Sequence, residues 1–325
     1  MKKVIALLLV VLMLFGLVAC SKGGDSGAKK LKFGVIYTGN NNFWDKVGDG
    51  AKAKVAELNK DGKYDVSVYC TGPQTAGAPG QIQIMEDMIS QKYDGIIIAA
   101  SDTSALVPTI DKAVEAGIPV VCMDTEVPDS KRLCFVGTDN YNFGRDCARE
   151  LARVLDGKGK VIVQYLDPSM LSMAERARGF RETLAAEFPE MEIIFEQADV
   201  GGDITAIAAN IETLASKYKN EMDGYCMLYA GGENAVNTWK QMGWTCEDVA
   251  MVLSDDIDPI IIGVKEGIAN SSVVQGQYNW GYEGIRILYE KIVEGKDPEV
   301  FVETSCDACD KELAEKNYPD VKIPE

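Results

Sequence analysis

Short apolar runs alternate with amphipathic stretches along most of this chain, and this alternation limits the possible folds more than any other feature. Residues 95–100 are apolar at consecutive positions, which is typical of a strand buried on both faces of a parallel sheet. Segments with helical spacing, such as 43–58 and 141–155, lie between such runs. Strands that alternate with helices of this length form right-handed βαβ units. The pattern therefore predicts an α/β fold built on parallel sheets.

The number of apolar runs indicates how many sheets the chain forms. About ten strands are expected between residues 31 and 275, and a twisted open sheet rarely exceeds that number. The chain has 325 residues, of which 46% are hydrophobic, so it can supply a core for each of two domains. We therefore expect two lobes, each with its own parallel sheet.

Two features of the composition exclude large classes of function. The chain contains no histidine, which excludes Ser-His-Asp and Cys-His catalysis and histidine-based zinc sites. Acidic residues outnumber basic residues 50 to 33, for a net charge of −17. A nucleic-acid-binding protein needs a positively charged face. We therefore expect no nucleic-acid partner.

The N-terminal residues have the pattern of a targeting segment. A basic start is followed by the uncharged residues 4–19, a run too short for a membrane-spanning helix. The run ends in Ala19-Cys20 and resembles a bacterial lipobox, in which the cysteine is diacylated. We expect a signal peptide at 1–19 and, at 20–30, a lipidated Cys20 followed by a flexible polar tether. The protein would then be attached to the extracytoplasmic face of a bacterial membrane by its lipid. The alternative is an ordinary secretory signal with an incidental cysteine.

Amide, aromatic and acidic side chains follow the predicted strands at the points where the strands end. In open parallel sheets, ligands bind beyond the carboxyl ends of the strands. Carboxylates accept hydrogen bonds from paired hydroxyls, and aromatic rings cover the C–H face of a sugar. No Walker A or Gly-x-Gly-x-x-Gly motif follows a strand, so we expect no nucleotide cofactor. The residues at these strand ends are Asn41, Phe43, Trp44, Asp124, Asp255 and Gln275.

Each of these side chains also has an ordinary structural interpretation. Phe43 and Trp44 could be core residues of a helix, although the three asparagines at 40–42 are poor core material. Asp124 and Asp255 could be turn formers. We favour ligand contact for Asp124, Asp255 and at least one of the two rings, and we consider Trp280 a second stacking face. Asp139 is a weaker candidate of the same kind.

Several short motifs occur in an order that is typical of one protein family. They are Asn41-Asn42-Phe43-Trp44, residues 93–98 (YDGIII) with Asp102, residues 116–121 (AGIPVV) leading to Asp124, residues 135–140 (FVGTDN), residues 176–180 (RARGF), and Ser254-Asp255 with Gly267. Over residues 31–293 the chain resembles the periplasmic-binding-protein type I family, specifically the ribose/galactose-like solute-binding proteins of ABC importers.

This resemblance implies two Rossmann-like lobes joined by a three-segment hinge, with a cleft that closes on a monosaccharide. The crossovers are expected near Thr138–Asp139, near Gln275–Gly276 and at about Thr304. The N-terminal lobe would comprise 31–138 plus 276–304, and the C-terminal lobe 139–275 plus 305–325. The ligand positions of the family fall on Asn41, Phe43, Trp44, Asp124, Thr138, Arg176, Asp255 and Gln275.

The chain departs from the family pattern at several of these strand ends. Asn42 stands where the family has proline, and Thr125 stands where an arginine often follows the aspartate. Ala99 and the pair Gly231-Gly232 occupy positions where asparagines are expected. Arg176 matches the family's arginine, whereas Arg178 and Arg181 are assigned to solvent. These departures bear on the identity of the sugar and not on the fold.

We therefore expect a monomeric, membrane-anchored solute-binding lipoprotein that delivers a monosaccharide to an ABC permease. No catalytic residue, metal ion or cofactor is expected. Within the same class, the ligand could be a polyol, an inositol or a furanosyl signal molecule such as autoinducer-2. The chain could also be a ligand-sensing subunit of a membrane receptor, or an enzyme.

The cysteines and one glycine-rich turn carry no metal site in this interpretation. Cys306 and Cys309 form a single Cys-x-x-Cys pair, which cannot complete a usual zinc site alone. They could form a local disulfide or remain free thiols. The stretch 199–203 is interpreted as a turn and helix cap, because a calcium loop needs more oxygen ligands.

Overall fold

The structure is a computed structural model that describes residues 28–200 and 203–324. The predicted signal peptide, Cys20 and most of the predicted tether therefore lie outside the described residues. Twelve strands are present in the described part of the chain. They are β1 (Lys29–Ile36), β2 (Tyr64–Thr71), β3 (Gly95–Ile98), β4 (Val120–Met123), β5 (Cys134–Gly137), β6 (Lys158–Leu166), β7 (Glu190–Asp199), β8 (Gly224–Met227), β9 (Ala250–Ser254), β10 (Ser271–Gln275), β11 (Phe301–Glu303) and β12 (Cys306–Asp310).

Ten α-helices connect or follow these strands within the same described ranges. They are α1 (Asp45–Leu58), α2 (Ala78–Ser90), α3 (Thr103–Glu115), α4 (Asn140–Val154), α5 (Leu171–Glu187), α6 (Ile204–Tyr218), α7 (Gly232–Met242), α8 (Asp258–Lys265), α9 (Gln277–Tyr289) and α10 (Lys311–Asn317). Short 3₁₀ turns precede and follow α1, and a π-helical turn extends α9. None of these helices is both long and apolar enough to cross a membrane.

The strands form two six-stranded sheets, each of which is the centre of one lobe. The first sheet has the order β11-β5-β4-β3-β1-β2 and is parallel throughout. The second has the order β12-β10-β9-β8-β6-β7 and is parallel except for β12, which pairs antiparallel to β10. We call the part built on the first sheet the N lobe and the part built on the second the C lobe. The predicted α/β class with two parallel-sheet lobes is confirmed.

Helices cover both faces of each sheet, which explains the continuous apolar runs in the sequence. All four residues of β3 are buried. Ile97 packs into the core on one face of the first sheet, whereas Ile96 and Ile98 pack into the core on the other. The second sheet likewise has Ile162 in one core, and Val161 and Val163 in the other. Burial of both faces is the arrangement expected of parallel strands.

The chain passes between the two sheets at three places. β5 of the N lobe ends at Gly137 and α4 of the C lobe begins at Asn140. β10 of the C lobe ends at Gln275 and is followed by α9, which packs on the N lobe. β11 ends at Glu303 in the first sheet and β12 begins at Cys306 in the second. Only two residues separate β11 from β12, so this connection between the lobes is short.

The alternation of apolar runs in the sequence did not predict the C-terminal strand β12 or helix α10. Residues 306–310 are polar at most positions because β12 is an edge strand with a half-exposed face. Cys306 and Cys309 are three positions apart on this strand, so their side chains point to opposite faces. Cys309 packs in one core of the C lobe and Cys306 against the other, and both are free thiols.

Candidate ligand-binding cleft

Asp124 and Asp255 occupy equivalent positions in the two lobes. Asp124 follows β4 and Asp255 lies one residue after β9, and each main-chain N–H donates to the neighbouring strand, to Val136 and Val273 respectively. Both residues have left-handed backbone angles, with φ of 59° and 73°. This region costs free energy for residues with a Cβ, although aspartate tolerates it better than most. The turns thus fix one buried carboxylate at the carboxyl edge of each sheet.

A cavity of about 220 Å³ lies between these two strand ends, and residues of both lobes line it. Its volume lies below the ~300–1,000 Å³ typical of sites for drug-sized molecules, so it suits a smaller ligand. A more open depression of about 510 Å³ lies on the N lobe at residues 71–84, but no charged side chain lines it. The polar and aromatic part of the interlobe lining comprises Thr38, Asn41, Asn42, Phe43, Trp44, Asp124, Arg176, Tyr229, Glu233, Asn234 and Asp255.

Arg176 reaches this cavity from α5 and is almost fully buried. Its position depends on the close contact of α4 and α5, because a Cβ on Gly144 would lie 1.9 Å from the carbonyl oxygen of Arg176. Arg176 Nε donates to Asn140 Oδ1 (2.7 Å) and Nη1 to the Leu228 carbonyl (2.9 Å). The guanidinium also lies over the Phe143 ring, 4.1 Å from its centroid. These contacts fix the guanidinium while leaving some of its five N–H groups for a ligand.

Asp255 is joined to Arg176 through Gln275. Arg176 Nη2 donates to Gln275 Oε1 (2.6 Å), and Gln275 Nε2 donates to Asp255 Oδ1 (2.7 Å). Gln277 Nε2 donates to the same Oδ1 (3.1 Å). Burial raises the pKa of the Asp255 carboxyl to about 7, although Arg176 and Gln275 oppose the shift. In the described part of the chain, Oδ2 of Asp255 has no hydrogen-bond donor, so it can accept one from a ligand.

Asp124 approaches the same Nη2 of Arg176, with its Oδ1 3.9 Å from that nitrogen. Thr125 donates to Asp124 Oδ2 (3.0 Å), and Asn140 Nδ2 donates to the Asp124 main-chain oxygen (3.1 Å). Burial raises the pKa of Asp124 as well, and the Arg176 charge opposes this. A single guanidinium is therefore linked to two desolvated carboxylates from different lobes, directly to Asp124 and through Gln275 to Asp255.

An aromatic group forms the N-lobe wall of the cavity. Trp44 is stacked on Tyr37 with a centroid distance of 5.2 Å, and Phe43 meets Trp44 edge-to-face at 4.8 Å. Asn41 Oδ1 accepts a hydrogen bond from the Phe43 N–H (3.1 Å) and caps the 3₁₀ turn that presents both rings. Rings held this way can cover the apolar face of a small cyclic ligand.

The sequence matches a known domain family, the periplasmic binding protein domain, over residues 33–297. The chain belongs to this family. The D-ribose/D-allose-binding protein of Pseudomonas aeruginosa is 28% identical over 270 residues, which are 80% of this chain and 81% of that protein.

Solved structures of this family resemble the structure described above. A sugar-binding protein of a sugar ABC transporter from Bacillus halodurans is 28% identical with a TM-score of 0.79, covering 89% of this chain and 99% of its own. A solute-binding protein from Burkholderia graminis in complex with D-arabinose has a TM-score of 0.81 at 24% identity, covering 88% and 96%. The two-lobed fold is therefore that of the periplasmic binding proteins, which are extracytoplasmic solute-binding proteins.

Six of the residues singled out from the sequence of this periplasmic binding protein lie together around the cavity. They are Asn41, Phe43, Trp44, Asp124, Arg176 and Asp255. Gln275 lies behind them and acts through its hydrogen bonds to Arg176 and Asp255. Arg178 and Arg181 are solvent-exposed and pair with glutamates, as expected.

Three other candidates lie outside the cavity lining. Asp139 caps α4 by accepting the Asn142 N–H (2.9 Å). Thr138 is buried beside it in the first crossover. Trp280 is fully buried behind Phe43, and its indole N–H donates to Thr304 Oγ1 (2.9 Å). We therefore assign Asp139 and Trp280 to the connections between the lobes and not to ligand stacking or ligand hydrogen bonds.

Several lining residues were not candidates in the sequence analysis. Tyr229 donates to Asp199 Oδ2 (2.6 Å), which also accepts from Gln164 (2.6 Å). Tyr229 follows β8, so the rule that identified Asp124 and Asp255 also applied to it. The sequence analysis did not identify the aliphatic lining, because apolar residues in strands and at the starts of helices are also typical of an ordinary core.

Proposed function

We propose that this protein captures a monosaccharide in its interlobe cleft and delivers it to an ABC permease. The observation that carries the proposal is that Asp124 directly and Asp255 through Gln275 are both linked to Arg176, in a small cavity with an aromatic wall. The named sugar-binding relative and the matching solved structures support the same function.

The arrangement suits a neutral molecule with several hydroxyl groups. Each carboxylate presents one oxygen to the cavity, and such an oxygen can accept hydrogen bonds from neighbouring hydroxyls of a sugar. Arg176 can donate its remaining N–H groups to the ring oxygen or to a further hydroxyl. Hydrogen bonds to charged groups contribute about 1.5–3 kcal/mol each, which is sufficient for selective capture.

The mechanism we propose is closure of the two lobes about their three crossovers, and no bond of the ligand is broken. In this assignment the N lobe comprises 31–138 plus 276–304, and the C lobe 139–275 plus 305–325. Ligand groups that bridge Asp124 and Asp255 stabilise the closed arrangement, because these carboxylates belong to different lobes. The closed form would then be recognised by the permease.

Attachment to the membrane through a lipid on Cys20 is part of the proposal. The sequence 4–19 with its final Ala19-Cys20 supports it. Cys20→Ala should leave ligand binding intact and release the protein from the washed membrane fraction, because the polar tether offers little apolar surface. A variant that stays with the membranes would contradict the lipid anchor. We further propose a monomer, which light scattering of the purified protein would test.

A thermal-shift screen with about fifty sugars and polyols tests the proposed function. A ligand present at 100 times its Kd adds about 2.7 kcal/mol to the free energy of unfolding, which gives a clear increase in Tm. We expect at least one monosaccharide to produce such an increase. If polyols, inositols or furanosyl signal molecules raise the Tm and no monosaccharide does, the ligand class proposed here is wrong.

A further inference from the structure

The C-lobe side of the cavity has an apolar wall. Six aliphatic side chains from the end of β6, the first turns of α5 and α6, and the segment before α8 line the cavity together. They are Leu166, Met170, Met173, Ile204, Ile207 and Ile257. Met170, Met173 and Ile207 are buried, Leu166 and Ile257 are half-buried, and Ile204 is exposed at the rim.

The charged groups lie elsewhere around the same space. Asp124 and Asp255 are at the strand ends, Arg176 reaches the cavity from α5, and Asn41 is on the N-lobe turn. Glu233 and Asn234 line the cavity at the start of α7. A ligand in this cavity therefore meets hydrogen-bonding groups on one part of its outline and hydrocarbon and thioether groups on another.

This division restricts which substituents the ligand can carry. A hydroxyl group directed at the apolar wall loses its hydrogen bonds to water and finds no partner in the six side chains. A methyl group in the same place gains contact with them, and methionine side chains adapt well to such a group. The apolar wall thus favours a ligand with a hydrocarbon substituent in addition to its paired hydroxyls.

We propose that the ligand is a 6-deoxyhexose whose methyl group packs on the apolar wall while its ring hydroxyls bind Asp124, Arg176 and Asp255. The proposal rests on the proposed function, because it takes the cleft to be a monosaccharide site. It assigns Met170, Met173 and Ile207 as residues that determine specificity. Within the cavity these three have the lowest exposure of the six.

Titration calorimetry with matched pairs of sugars tests the proposal on the unaltered protein. The pairs are L-fucose with L-galactose, D-fucose with D-galactose, and L-rhamnose with L-mannose, which differ only by methyl against hydroxymethyl. In the pair that binds best, we expect the methyl sugar to bind at least tenfold more tightly, equivalent to about 1.4 kcal/mol.

Three outcomes distinguish this proposal from the proposed function. If the hydroxymethyl sugar binds equally well or better in every pair that binds, the apolar wall does not select a methyl group. If pentoses bind and no 6-deoxyhexose does, the 6-deoxyhexose proposal is wrong although monosaccharide capture stands. If no carbohydrate binds at all, both fail.

A variant with a matched control tests the role of the apolar wall. Met170→Gln keeps the side-chain length but places an amide on the wall, so it should reduce the preference for the methyl sugar at least threefold. Met242→Gln makes the same change at the end of α7, outside the cavity, and should leave the preference unchanged. Melting of the ligand-free variants shows that each is folded. An unchanged preference in folded Met170→Gln would contradict the assignment of Met170.

Discussion

Lys46 Nζ lies 2.5 Å from Asp256 Oδ2, and this ion pair joins α1 of the N lobe to the segment after β9 in the C lobe. Tyr318 donates to the same oxygen (2.6 Å). Elsewhere at the boundary between the lobes, the hydroxyls of Thr125 and Ser172 are 2.6 Å apart. The lobes are therefore in direct contact at more than one place around the cavity. In the proposed mechanism, such contacts favour the closed arrangement.

Lys46→Ala should weaken ligand binding without changing the cavity. The ion pair is half-exposed, so its contribution is about 0.4–1 kcal/mol, or roughly a two- to fivefold increase in Kd. We expect the change in the dissociation rate, measured by stopped-flow fluorescence, because the closed form is destabilised. Lys240→Ala is the matched control, since Lys240 pairs with Glu266 inside the C lobe at similar exposure. Equal effects of the two substitutions would contradict an interlobe role.

Ligand binding should release protons at slightly acidic pH. Burial raises the pKa of Asp255 to about 7, so this carboxyl is largely protonated in the free protein at pH 6. Ligand hydroxyls that donate to it favour the ionised form. Calorimetry at pH 6 in two buffers of different ionisation enthalpy should therefore give different observed enthalpies. Identical enthalpies in the two buffers would exclude this coupling.

The same carboxyl should make the stability of the ligand-free protein fall as pH rises. The unfolded chain releases this proton near pH 4, whereas the folded protein keeps it to about pH 7. Stability contributed by the bound proton is therefore full below pH 4 and is lost between about pH 4 and pH 7. Asp255→Asn should flatten this part of the profile and raise Tm at pH 7.5. A parallel loss of stability in the variant and the wild type would show that Asp255 is not the cause.

Arg176→Ala should destabilise the ligand-free protein as well as weaken binding. Removing the buried guanidinium leaves Gln275 Oε1 without its donor, Asp124 without its ion-pair partner and the Leu228 carbonyl unpaired. Losing one member of a buried charged network costs about 3–5 kcal/mol. Denaturant unfolding of the ligand-free variant measures this loss, and Arg178→Ala, on the exposed side of α5, is the control. A loss below about 1 kcal/mol for Arg176→Ala would contradict a structural role.

We expect Phe43 to contact the ligand and Trp280 to stabilise a connection between the lobes. Phe43→Ala removes part of the cavity wall and should weaken binding about tenfold. Trp280→Phe removes the hydrogen bond to Thr304 at a crossover, so it should lower the free energy of unfolding by about 1 kcal/mol. Its Kd should stay within threefold of wild type. If Trp280→Phe instead weakened ligand binding more than Phe43→Ala, Trp280 would be assigned to the ligand site.

The positions of Asp124 and Asp255 were predictable because parallel strands all end at one edge of their sheet, so strand order alone brings such residues together. The buried position of Trp280 was not predictable. The sequence shows that an aromatic residue follows β10, but it does not show which face of α9 that residue occupies. The aliphatic lining was not predictable for a related reason. Met170 directly precedes α5 and Met173 lies in its first turn, with the spacing of any helical core face, and only the three-dimensional structure shows that both line the cavity.

Calorimetric titration of the best-binding monosaccharide into Asp124→Ala and Asp255→Asn tests the central claim most directly, with Arg178→Ala and Arg181→Ala as controls outside the cleft. Losing a hydrogen bond to a charged group should raise Kd by roughly 10- to 150-fold. We predict this loss for both cleft variants and unchanged affinity for both controls. Binding of both cleft variants within about threefold of wild type would contradict ligand capture between Asp124 and Asp255.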